Sequence, residues 1–277
     1  VELVPGDTMP TGTSMIEKCE PDIAPELWTN GLGPLLKPAV EEGRIASAGE
    51  SIAGGAIESL WIPKYMLDAH PELATIDGVI ANPQLFPDPE DPSKGALYGC
   101  PAGWNCQITT HQLFKAGDMA NKGWNLIDPG SGAGLAGSMS EAYNKGDGWI
   151  GYYWGPTAIL GQVEMVQVDQ GPYDAAEWER CIGIDMDCPD PVMMNHPVST
   201  VEIYVSKKIM DNDTVMTYLG NRGMTSAEIS VLLAAADADQ LSPEEAAEYI
   251  LENRSDLWTR MVSDEAAEKI KQSLIFD

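Results

Sequence analysis

Gly148-Trp149-Ile150-Gly151-Tyr152-Tyr153-Trp154-Gly155-Pro156 is a strand-like run that ends on a large aromatic residue and stops at once. Aromatic and β-branched residues suit a pleated surface, and Gly-Pro cannot continue a central strand. Trp154 therefore stands where the chain leaves its sheet. In open α/β sheets ligands sit at strand ends, so it is a candidate binding residue as well as a candidate core residue. A second indole, Trp104, is held in the short loop Cys100-Pro-Ala-Gly-Trp104-Asn-Cys106. Trp28, in Pro25-Glu26-Leu27-Trp28-Thr29, again closes a short apolar run. Three rigidly mounted indoles around one cavity would attract a quaternary ammonium group, because the ring faces are negative.

Charge narrows the partners. The 277 residues hold 16 Lys and Arg against 43 Asp and Glu, a formal charge of -27. Phosphate backbones and anionic membranes would be repelled, whereas approach of a small cation is favoured. The acidic excess is spread along the chain, as solubility in salty water requires. No apolar run reaches the roughly 18 residues that a membrane span needs. The chain opens on Val1-Glu-Leu-Val-Pro5 with no signal-peptide pattern.

The five cysteines pair by spacing as Cys100 with Cys106 and Cys181 with Cys188, which leaves Cys19 free and buried. Short-loop disulfides point to an oxidising compartment, the periplasm or cell exterior. Neither spacing is a zinc knuckle, and His70, His111 and His196 lie far from the cysteines in sequence.

In chain order, Val1 to Val4 reads as a strand, Thr13 to Lys18 as a helix capped by Thr11 or Thr13, and Asp22 to Trp28 as a strand, together a βαβ unit with a parallel sheet. Leu32 to Glu42 follows as an amphipathic helix and Arg44 to Ala48 as a strand. Gly49-Glu-Ser51-Ile-Ala53 falls one residue short of a nucleophile elbow, and no suitably placed His follows it. Pro71 to Ile80 is the expected first crossing between two lobes, and Thr200 to Val205 the strand of the return. Asp88, Glu90 and Asp91 lie in a Pro-rich loop that is solvated or, alternatively, holds Ca²⁺. Gly132 to Gly137 contains G-x-G-x-x-G ahead of a helix at Ser138 to Asn144, which keeps a dinucleotide-dependent oxidoreductase as the alternative function. Against it, the position about twenty residues on is Trp154, where an acid is needed for the ribose. The competing reading is a helix N-terminus whose amides face the cleft. Ala158 to Val168 runs from helix into strand, the acidic loop Asp174 to Asp190 is pinned by its cysteines, and Pro243 to Phe276 is helical from an N-cap at Ser242.

Trp28 after Asp22-Ile-Ala-Pro-Glu-Leu, the segment Trp61-Ile-Pro-Lys-Tyr65-Met, the loop Gly99-Cys-Pro-Ala-Gly-Trp104-Asn-Cys106 and Gly151-Tyr-Tyr-Trp154-Gly-Pro together resemble the substrate-binding proteins of betaine, choline and trimethylamine N-oxide type ABC importers. The four motifs come in the family's order across most of the chain. The resemblance implies an α/β, two-lobed periplasmic binding protein fold of type II with the cleft between lobes. The first lobe would be residues 1–76 plus 201–277, lacking the family's first strand and helix, and the second 77–200. It further implies a non-enzymatic, periplasmic, monomeric protein with no cofactor, which hands its ligand to a membrane permease. Trp28, Trp104 and Trp154 would cage a trimethylammonium group, with Tyr153 beside them, and Trp61 and Tyr65 would be core or rim.

The polar end sets the choice of ligand. A His that holds the substrate carboxylate in several members corresponds to Leu32 here. A small oxide, satisfied by backbone amides near Asn105 and Cys106, suits that loss better than a carboxylate. Trimethylamine N-oxide is thus expected first and glycine betaine next. Choline would call for a nearby carboxylate, with Glu26 or Glu50 as candidates.

Overall fold

The computed structural model describes residues 2–274. Ten strands fall into three sheets: β1 (Ile23–Trp28), β9 (Val201–Ser206) and β2 (Ile45–Glu50) in that order; the pair β3 (Ile52–Ala53) and β10 (Met224–Thr225); and a five-stranded sheet. The last runs β6 (Trp124–Ile127), β5 (Gly95–Tyr98), β7 (Gly151–Gly155), β4 (Ile57–Pro63), β8 (Met165–Gln167). Each larger sheet is the centre of one lobe, which gives the two-lobed α/β fold.

In the first lobe, α1 (Thr8–Lys18) and α2 (Gly33–Glu41) pack Met15, Leu32, Leu36 and Ala39 against Ala24 and Leu27 of β1. Helices α9 (Asp213–Asn221), α10 (Ser226–Ala238), α11 (Pro243–Asn253), α12 (Ser255–Trp258) and α13 (Asp264–Ser273) complete it. The tail, expected to be helical from Pro243, holds three helices after α10 among the described residues, and Phe276 lies outside them. In the second lobe, α3 (Lys64–Ala69), α4 (Ile76–Ile80), α5 (Cys106–Ala116), α6 (Gly132–Lys145), α7 (Ala158–Gln162) and α8 (Ala175–Glu177) surround a core that includes Trp61, Phe86, Trp124, Trp149 and Tyr152.

Several sequence expectations change. Residues 2–4 form no strand, and Leu3 and Val4 are 82% and 70% exposed; two apolar residues without a pairing partner do not make a strand. Helix α1 begins five residues earlier than expected, after Asp7. The sheet containing β1 is antiparallel at both of its pairings, because β9 returns between β1 and β2. The two sheets part company at a different place from residue 76: β4 already pairs with β7 and β8 from Ile57 onward. Residues 71–80 are instead short helices packed on the second lobe's core through Leu73, Ile76, Val79 and Ile80. The crossings run side by side, with Ala56 bridging Ser199 antiparallel. Trp61, a motif residue in the sequence, sits in a central strand that its local pattern does not announce.

Both expected disulfides are formed, Cys100 with Cys106 at a Cα separation of 5.6 Å and Cys181 with Cys188 at 5.4 Å, and Cys19 is free and buried. Cys19 takes the left-handed conformation that closes α1, its N–H donating to the Met15 carbonyl.

Candidate functional site

The site grows out of the end of β7. Trp154 is the last side chain before Gly155-Pro156, and the sheet keeps it in place through antiparallel pairing with β4. Its ring stacks on Tyr153 at 4.5 Å between centroids, and Tyr152 lies 6.3 Å away. Tyr153 is anchored from behind, its carbonyl accepting a 3.0 Å hydrogen bond from the indole of Trp61. Burial pushes the Tyr153 phenol up to about 12, so it stays neutral beside Trp154.

Trp104 meets Trp154 edge to face, with ring centroids 5.0 Å apart and planes at 77°. Two devices hold it. The Cys100–Cys106 bond closes the loop that carries it, directly before α5. Its indole N–H also donates to Asp7 Oδ1 at 3.0 Å, a bond from the start of the first lobe to the second. Beneath the pair lies the N-terminus of α6. A side-chain carbon at Gly132 would stand 2.9 Å from the Trp104 ring and 3.8 Å from that of Trp154. Only glycine lets the helix start that close, and its first amides have no partner within the helix. The Gly-rich run is therefore a helix opening against the indoles. Because α6 starts at Gly132 itself, Gly134 and Gly137 are within the helix, and the rings occupy ground that a dinucleotide pyrophosphate would need.

Trp28 comes from the other lobe. It closes β1, packs against the cluster of Ile52, Ala56 and Val201, and donates its indole N–H to Glu26 Oε1 at 2.7 Å. Trp28 makes no aromatic pair with Trp104 or Trp154 among the described residues. The loop after it nonetheless reaches the second lobe: a side-chain carbon on Gly31 would overlap the amide of Asn105, at 2.0 Å from Oδ1. That Oδ1 is buried without a hydrogen-bond partner, an acceptor open to a donor group. Glu50 lies elsewhere, opposite Glu202 in the first sheet, with its carboxylate accepting from the Gly54 amide. Leu32 is fully buried in the first lobe's core. It offers nothing to a ligand.

One polar group has no counterpart among the sequence-predicted site residues. Glu58 of β4 accepts hydrogen bonds from Tyr152 Oη on one carboxyl oxygen and from Ser199 Oγ on the other. It is half-buried, with an edge on a pocket of about 370 Å³ lined also by Ser59, Asp169, Asn195 and His196. Burial pushes its carboxyl up, against the two hydroxyls, which pull it down. The same carboxylate pushes Tyr152 up further than burial alone does. His196 is held down at about 4 by burial, and neither ring nitrogen has a partner. The signal that could have found Glu58 is a lone acid inside the apolar run Ile57-Glu58-Ser59-Leu60-Trp61-Ile62. For Asp7 there is none.

The calcium expectation does not fit. Asp88 is 2% exposed, and its oxygens are spent on Asn125 Nδ2 at 2.7 Å and the Glu90 amide at 2.8 Å. The Asn125 bond holds its carboxyl below the usual range. Asp91 accepts from Ser93, while Glu90 faces outward. Among the described residues the one set of three potential ligands drawn together is Cys181, Cys188 and Asp190, and there the sulfurs are bonded to each other. The Pro-rich loop is a structural lock on β6.

Comparison with solved structures supports the fold. The glycine betaine, L-proline binding protein ProX from Borrelia burgdorferi superposes with a TM-score of 0.70 at 13% identity, over 97% of this chain and 88% of that one. An ABC-transporter choline binding protein in complex with choline gives 0.69 at 16%, over 96% and 85%. Lactococcal OpuAC complexed with glycine betaine gives 0.66 at 13%, over 93% and 86%. The family model described as the substrate binding domain of ABC-type glycine betaine transport systems matches residues 1–253, and the chain belongs to that family, the extracytoplasmic binding components of ABC importers.

Proposed function

We propose that this protein captures a small solute with a trimethylated nitrogen between Trp28, Trp104 and Trp154 and delivers it to the permease of its importer. The observation that carries this reading is the edge-to-face contact of Trp104 and Trp154 at the opening of α6. Two indoles at right angles form a corner whose faces attract a methylated cation, each desolvated face contributing on the order of 1–2 kcal/mol. Trp28, brought up by the other lobe, is the third wall. The α6 N-terminus offers amides to a small negative oxygen, which supports trimethylamine N-oxide first, with glycine betaine next. Leu32, locked in the core, supplies no carboxylate anchor.

A thermal-shift panel with trimethylamine N-oxide, glycine betaine, choline, carnitine, dimethylsulfoniopropionate and NAD tests it. Methylated amines should raise the melting temperature and NAD should leave it unchanged. A rise with NAD alone, or no response to any of the six, would refute the reading.

A further inference from the structure

Glu58 has no role in a cage made of three indoles, yet the fold places it opposite one of them in the sheet. In the antiparallel register of β4 and β7 it stands directly opposite Trp154. Directly opposed residues share a face of the sheet, with Cβ atoms about 5 Å apart. Tyr152, two residues before Trp154, is on the same face and donates its hydroxyl to Glu58, while Ser199 of the return crossing donates to the other oxygen. Both oxygens thus have a hydroxyl beside them, while burial pushes the carboxyl up, so that a cation brought to it would favour the ionised form. A carboxylate partly withdrawn from water is favoured by a cationic partner, since burying the charge alone is costly. Among the described residues no Lys or Arg forms an ion pair with Glu58. Two hydroxyls hold its position without supplying a positive charge, and what lies across the strand pair is Trp154, one wall of the proposed cage.

We infer that Glu58 is the counter-charge for the ligand's methylated nitrogen, and so the residue that turns away methylated amines carrying a carboxylate. The favoured class is a trimethylated nitrogen with an uncharged hydroxyl tail, which places choline ahead of glycine betaine and so departs from the order that the α6 amides alone support. This rests on the cage reading above. Glu26 at Trp28 and Asp7 at Trp104 add charge of the same sign around the rings.

Calorimetry with choline, trimethylamine N-oxide and glycine betaine on the parent, Glu58→Gln, Ser199→Ala and Trp154→Ala proteins tests it. The parent should bind choline at least tenfold more tightly than betaine, and Glu58→Gln should cut that ratio at least tenfold. Ser199→Ala keeps the charge and should keep the ratio. A residue acting only through structure would weaken all three ligands alike, so an unchanged ratio in Glu58→Gln, or a parent that prefers betaine, overturns the inference. Should Glu58→Gln fail to fold, Glu58→Asp, which withdraws the charge by one methylene, must shift the ratio in the same direction. Trp154→Ala should weaken all three ligands about a hundredfold whatever Glu58 does. Full binding there would overturn the cage and leave Glu58 to be judged by the ratio alone.

Discussion

The two lobes are stabilised in different ways. The second is built on a five-stranded sheet with one large aromatic core, and Tyr152, Tyr153 and His196 within it are shifted chiefly by burial. The first has a three-stranded sheet, several small clusters and a helical tail, and its most shifted acid, Glu228, is drawn down to about 2 by hydrogen bonds from exposed Arg260. The lobe with the thick core carries two of the three proposed cage walls, the other a single wall on a lighter frame. Precise placement of a ring pair needs a packed support.

Acid should separate the lobes most strongly. His196 titrates at about 4 in the native protein against 6.5 for an unperturbed imidazole, so an unfolded chain takes up a proton that the native one refuses. Its contribution is intact above pH 6.5 and is lost as pH falls toward 4, a loss of about 3 kcal/mol at 1.4 kcal/mol per unit. Glu58, raised by burial, works in the opposite sense, so the effect is read as a difference between proteins. Urea unfolding of His196→Gln from pH 7 to pH 4 should show a flatter decline than the parent. Glu228 predicts a separate, lower window: its pairing holds above pH 4.5 and is lost on the way to about 2. Parallel pH profiles for parent and His196→Gln would remove the distinction.

The walls should be unequal as well. Trp154→Ala removes a ring in contact with Trp104, Tyr153 and Tyr152 and should weaken binding about a hundredfold, roughly 2.7 kcal/mol. Trp28→Ala, on the lobe that brings its wall up to the others, should cost about tenfold. Equal losses in calorimetry would mean that the lobes share the ligand evenly.

The same contrast explains what can be read from the sequence. Trp28, Trp104 and Trp154 stand out because each ends an apolar run or sits between cysteines, which are local signals. The disulfides follow from spacing, and β1, α2, β2 and β9 from their hydrophobic periodicity. What escapes is long-range. That β9 inserts between β1 and β2, and that β4 leaves the first sheet at Ile57, depends on pairings over a hundred residues apart, or nearly so. Asp88 looks like a metal ligand because Asn125, its partner, is 37 residues away. Asp7 reaches Trp104 across 97 residues and Glu58 meets Ser199 across 141, distances that no local pattern encodes.

Smaller effects sharpen the comparison at the periphery. Asn125→Ala would leave the buried Asp88 without its shortest bond and should cost about 1–3 kcal/mol in the second lobe, with ligand affinity unchanged. In the first lobe, Ser242 accepts from the Glu245 amide while Glu245 Oε2 accepts from the Ser242 amide, a reciprocal cap that starts α11 after an exposed turn. Ser242→Ala removes one half of that exchange and should cost about 1 kcal/mol. Helix α11 packs through Ile250 and Leu251 on Trp258 and Met261, in a cluster that shares no buried residue with the sheet around β1. The loss should therefore appear as earlier hydrogen exchange in residues 243–253 while the cage binds as before. A matching fall in ligand affinity would show that the tail is coupled to Trp28, and that the first lobe is one cooperative body after all.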